Sequence, residues 1–166
     1  MAAPRAIAPA LRKTVSIGTP EFQRSVDLLS LAGAALALAG FFDLILAWVP
    51  LGIGNPEWEF GTVTGMLNGL PLPTVGLVLV LISARERGRI VLARIIGVVL
   101  AILAVATILA GILYALDVPL ALRAVQNPLA KTGLIKAIIK AMGLVVVYSV
   151  VFFWIAVGTW RRSFAR

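Results

Sequence analysis

Along this chain, long apolar runs alternate with short polar breaks. The first run extends from Leu28 to Val49, contains Ser30 and Asp43, and closes on Trp48 and Pro50. The second, Leu70 to about Ala84, opens with Pro71 and Pro73. The third covers Ile90 to Tyr114 and leaves through Asp117 and Pro119, and the fourth follows Asn127-Pro128 and ends near Trp160. Crossing a hydrocarbon core of about 30 Å takes about 20 helical residues at 1.5 Å each. The runs therefore predict four transmembrane helices, over about 28–49, 70–84, 90–114 and 134–160.

The second span is short, and two arrangements supply the missing length. Gly61 to Gly69 forms a short interfacial helix ahead of a tilted span, or the span begins near Thr62 and kinks at the prolines. The first is preferred, because proline sits comfortably in the first turn of a new helix. The last helix is longer than a bilayer needs, so its first turns should stand outside the membrane or lie oblique to it. The fold class expected is an all-α integral membrane bundle with both termini cytoplasmic. Residues 1–25 form an N-terminal tail, 26–162 the four-helix domain and 163–166 a C-terminal tail.

Composition agrees. The chain has 166 residues, 61% of them hydrophobic, with a mean hydropathy of +1.04. So short a chain has too little interior to hide that much apolar surface from water, and lipid removes the difficulty. The net charge of +8 does not form one basic patch, so nucleic acid is not expected as a partner. The basic residues instead collect between apolar runs, as membrane topology requires. With four spans, the N-terminal tail (Arg5, Arg12, Lys13), the turn Arg85-Glu-Arg-Gly-Arg89 with Arg94, and Arg161, Arg162 and Arg166 share one side. The other side receives Glu57, Glu59 and Asp117, with Arg123, Lys131, Lys136 and Lys140 as its basic residues. The positive-inside rule then puts the termini in the cytoplasm of a bacterial inner membrane. Trp48 and Trp58 are expected as anchors at the outer interface and Trp160 at the inner one.

Candidate chemistry is sparse. Cysteine and histidine are both absent, which removes disulfides, thiolate metal sites and the usual general base near neutral pH. No metal site and no cofactor are expected, and bound lipid or pigment is left open. Glu57 and Glu59 flank Trp58 with no third ligand nearby, and a solvated loop is the expectation. The serines and threonines lack an evident base. Asp43 stands within an apolar helix, where a charge costs on the order of 3 kcal/mol unless it is paired or protonated. It is either a proton or cation site or half of an ion pair. Its expected partner is Lys140, or Lys136 one turn further out, at a comparable distance from the outer face. Arg94 is expected to snorkel to the headgroups. Gly33, Ala37 and Gly40 form a small-residue stripe that suits close helix packing. Gly61, Gly65 and Gly69 make a second ladder, read equally as a docking face or as loop glycines.

The stretch Asn55-Pro-Glu-Trp-Glu-Phe60, followed by Pro71-Leu-Pro-Thr-Val-Gly-Leu-Val-Leu-Val80, resembles the central signature of the HpsJ-like family. Those are small multi-span membrane proteins associated with hormogonium polysaccharide secretion in cyanobacteria. Here the uncharged Asn68, Gly69 and Leu70 stand where that family tends to carry charges. The resemblance implies an accessory membrane component and supplies no catalytic residues. The chain is accordingly expected to be a non-catalytic accessory subunit of a larger bacterial membrane complex, with membrane lipids and other integral subunits as partners. The competing reading is a small oligomeric transporter or channel using Asp43 with Lys136 and Lys140.

Overall fold

A computed structural model describes residues 19–52 and 54–163, which fold entirely into helices and short connections. They are α1 (Pro20–Ala47), α2 (Pro56–Gly69), α3 (Pro71–Glu86), α4 (Ile90–Ala124) and α5 (Pro128–Ser163). Four segments are long and apolar enough to cross a membrane: Pro20–Ala47, Trp58–Glu86, Ile90–Ala124 and Pro128–Arg161. The chain is a multi-pass membrane protein. The expected tail residues Arg5, Arg12, Lys13 and Arg166 lie outside the described residues.

Local chemistry makes the helices longer than the apolar runs. α1 starts at Pro20, ahead of the apolar residues, because Thr19 caps it: its Oγ1 accepts the Phe22 N–H at 3.4 Å. Pro20 takes the first helical position, where no N–H is missed. At the other end of the bundle α4 does not stop at Asp117 and Pro119 but continues to Ala124. A single proline removes only the bond to the carbonyl four residues earlier. Thirty-five residues span about 52 Å at 1.5 Å per residue, so part of α4 extends beyond the hydrocarbon.

The second span departs from the preferred arrangement and follows the alternative, a segment that starts ahead of Thr62 and continues through the prolines. Leu70, between α2 and α3, keeps helical dihedrals (φ −56°, ψ −31°). Its N–H donates to the Met66 carbonyl, and its carbonyl accepts the Thr74 N–H, both at 3.1 Å. The helix thus runs through the prolines, and Trp58–Glu86 forms one apolar segment. Nor is α2 a surface helix. Thr62, Val63, Met66, Leu67 and Leu70 are buried, and α2 packs against α4, α1 and α5. Its apolar face is too well matched to the bundle to lie outside it.

Two tight helix pairs organise the molecule, α1 with α3 and α4 with α5, joined where α2 and α3 meet α4. Among the described residues α1 and α5 do not touch, so they form the two edges of the assembly. The core between them contains Leu67, Leu70, Leu100, Tyr114 and Phe152, all essentially sealed from solvent. Two buried hydroxyls in the spans are satisfied locally: Ser83 donates to the Leu79 carbonyl at 2.9 Å and Thr107 to that of Leu103 at 2.7 Å. In lipid such internal satisfaction replaces the missing water.

Candidate functional site

Small residues set how closely the spans approach. A Cβ built on Gly33 would lie 2.8 Å from Leu79 Cβ and 2.9 Å from the Gly76 carbonyl oxygen. One built on Gly76 would strike the Ala37 backbone nitrogen and stand 2.6 Å from the Gly33 oxygen. Gly40 lies directly against the ring of Pro73. The stripe Gly33, Ala37, Gly40 is therefore a backbone-to-backbone seam with α3. The ladder Gly61, Gly65, Gly69 is different. Nothing lies within 4 Å of a Cβ at Gly61, Gly65 only grazes Ala47, and Gly69 alone is close to a neighbour.

That neighbour is Asp43, whose Oδ2 lies 3.0 Å from a Cβ built on Gly69. On the other side of the same segment, Lys140 Nζ donates to Asn68 Oδ1 at 3.4 Å. The expected ion pair of Asp43 with Lys140 or Lys136 is not formed. Asp43 is on α1, the lysines are on α5, and the α2–α3 junction lies between these edge helices. The two charges share a depth but not a contact. Asp43, Lys136 and Lys140 are all exposed on the bundle surface, and among the described residues none of them forms a salt bridge.

One salt bridge, Arg87 to Asp27, is present among the described residues. It ties the start of α1 to the turn between α3 and α4, at the arginine-rich end. Asp27 went unremarked in the sequence because it precedes the apolar run. Arg94, exposed on the first turns of α4, lies at the same end.

The opposite end is closed by aromatic and carboxyl contacts. Trp48 and Trp58 meet edge to face, with ring centres 5.9 Å apart, and the Trp58 indole covers Gly52. Trp160 lies at the other end of the bundle, half-exposed beside Gly97. Glu59 is not a free solvated group. Its Oε1 accepts the Gly54 N–H at 2.7 Å, and its carboxyl faces that of Asp117 on α4. Gly54 requires its glycine, since φ is +92° there. The side chain of Glu57 lies outside the described residues. Below this latch Phe60 stacks on the buried Tyr114 with centres 4.5 Å apart. On the α1 surface, Phe41, Leu44, Ile45, Trp48, Val49, Leu51 and Met66 line an open groove that is almost wholly apolar. Its lining offers nothing polar for catalysis.

Gly97 and Gly111 also escaped sequence reading. They sit on one face of α4 and admit α5: a Cβ on Gly111 would lie 2.6 Å from Val145 Cγ1, and one on Gly97 would be 3.3 Å from Thr159 Cβ. Their spacing of two heptads was the available signal.

The seam of α1 with α3 and the latch on α4 fall within the segment that a family model recognises. The HpsJ-like protein model matches residues 24–128, from the start of α1 to the start of α5. The chain belongs to the HpsJ-like family. Neither comparison with curated proteins nor comparison with solved structures gives a match. The family match includes Asp27, Gly33, Gly76 and Asp117 but stops short of Lys136 and Lys140. The family suggests a membrane protein related to polysaccharide secretion.

Proposed function

We propose that this protein is a non-catalytic accessory subunit of a bacterial inner-membrane assembly that secretes polysaccharide. The observation that carries the reading is the match to the HpsJ-like family across residues 24–128. The chemistry of the chain supports a supporting role. With neither histidine nor cysteine in the sequence, Ser–His and Cys–His nucleophile–base pairs cannot be assembled. The arginine-rich end, where α1 begins and α5 ends, is read as cytoplasmic from the charge distribution. Within one chain Asp43 and the two lysines stand on opposite edge helices and line no common path, so the transporter reading requires several copies.

Purification of the full chain from native membranes in a mild detergent tests the proposal. Stoichiometric co-purification of larger export components is expected, together with loss of exported polysaccharide when the gene is deleted. A chain that purifies without them, from cells whose polysaccharide export survives the deletion, would overturn it.

A further inference from the structure

α1 and α5 are the least buried spans. Twenty-two per cent of the apolar stretch of α1 and 28% of that of α5 are buried, against 39% and 44% in the two inner segments. Both are edges, and each exposes charge. On α1, Ala35, Ala39 and Asp43 recur every fourth residue and all are exposed, so they lie along one stripe. On α5, Lys136, Lys140 and Gly143 form a similar exposed stripe, and a Cβ on Gly143 would meet nothing within 4 Å. Each charge thus has small residues beside it, which let another helix approach closely.

Depth makes the two stripes complementary. Copies inserted with one orientation are related by rotation about the membrane normal, which preserves depth. Groups pairing between copies must therefore be equally deep. Asp43 reaches Gly69 and Lys140 reaches Asn68, neighbouring residues of one helix turn. An unpaired carboxylate facing lipid is costly, and a lysine on a facing helix relieves that cost.

We infer that the protein self-associates head to tail, α1 of one copy packing against α5 of the next, with Asp43 facing Lys136 and Lys140 across the contact. The interface is heterologous, so it leaves a free edge on every open chain and is completed by ring closure. The inference is independent of the pathway the protein serves.

Because the chain has no cysteine, cross-linking tests this cleanly. In the doubly substituted Ala39→Cys/Gly143→Cys protein, oxidation in native membranes is expected to give a ladder at multiples of the chain mass of 17.6 kDa. An internal disulfide cannot compete, since α1 and α5 of one chain do not touch. Adding Asp43→Asn should weaken association about tenfold, within the range of interhelical polar contacts in lipid. Exchanging the charges, with Asp43→Lys, Lys136→Asp and Lys140→Asp together, should restore the ladder. Absence of a ladder while both thiols react with maleimide overturns the inference. So does a ladder that Asp43→Asn leaves undiminished, or Ala39→Cys alone dimerising as efficiently as the pair. Cross-links only to a different protein would likewise overturn it.

Discussion

At the scale of single residues, the molecule depends on side chains that are absent. Gly76 and Gly33 bring two helix backbones into contact, and the closest approach at Gly76 is to the nitrogen of Ala37. Backbone cannot swing aside as a long side chain can, so a leucine here must separate α1 from α3. Gly76→Leu is expected to destabilise the protein by about 3 kcal/mol or more, the upper range for overpacking. Gly61→Ala, with nothing within 4 Å, should be neutral or stabilising by up to about 1 kcal/mol, as expected for alanine replacing glycine in a helix. Thermal unfolding of both variants in one detergent checks the contrast, and equal melting would remove the seam from the account. Half of this was legible beforehand. Gly33, Ala37 and Gly40 announce a small face by their spacing, but spacing does not name the partner. Gly61, Gly65 and Gly69 also recur at helical spacing, yet they face largely open space.

At the scale of elements, the second span shows why proline was a misleading boundary. Pro71 and Pro73 lack the N–H groups that would bond to the carbonyls of Leu67 and Gly69. The bonds on either side nonetheless persist through Leu70 and Thr74, and burial of Leu67 and Leu70 holds α2 inside the bundle. The two prolines are not equivalent. Pro71 is exposed and Pro73 is buried against Gly40. Pro71→Ala returns a backbone donor and should change stability by less than about 1 kcal/mol, the net worth of one hydrogen bond. Pro73→Ala also removes ring carbons from a packed seam and should destabilise by about 1–3 kcal/mol, as cavity-forming truncations do. Denaturation of the two variants side by side would separate these roles; a larger loss at Pro71 would show that its fixed backbone matters more than the packing at Pro73. The mistaken pairing of Asp43 with Lys140 has a related origin. Hydropathy reports how deep a residue lies and periodicity reports its face, yet neither says which helices are neighbours. Here α1 and α5 end up at opposite edges, with the α2–α3 junction between them.

At the scale of the whole molecule, the four apolar runs were readable because lipid imposes a length on every crossing, and the structure has four segments that meet it. An even number of crossings returns the C-terminus to the side of the N-terminus, with the α3–α4 turn on that same side. Around that turn stand Arg85, Arg87, Arg89 and Arg94, and across the bundle Glu59 and Asp117 face each other where α2 meets α4. The sign of this asymmetry is what positive-inside insertion reads, since lysine and arginine near the ends of spans resist translocation. The lysines of α5 do not reverse it, because Lys136 and Lys140 project from within a span rather than from a short loop. Two thiol variants decide the orientation in a chain with no cysteine of its own. Arg89→Cys, in the α3–α4 turn, should react with a membrane-impermeant maleimide only after permeabilisation. Gln126→Cys, between α4 and α5, should react in spheroplasts whose inner membrane is intact. The reverse pattern would put the arginine-rich end outside and remove the basis for a cytoplasmic assignment of the termini. It would leave the α1–α5 contact untouched, because inverting every copy together preserves the equal depth of Asp43 and Lys140.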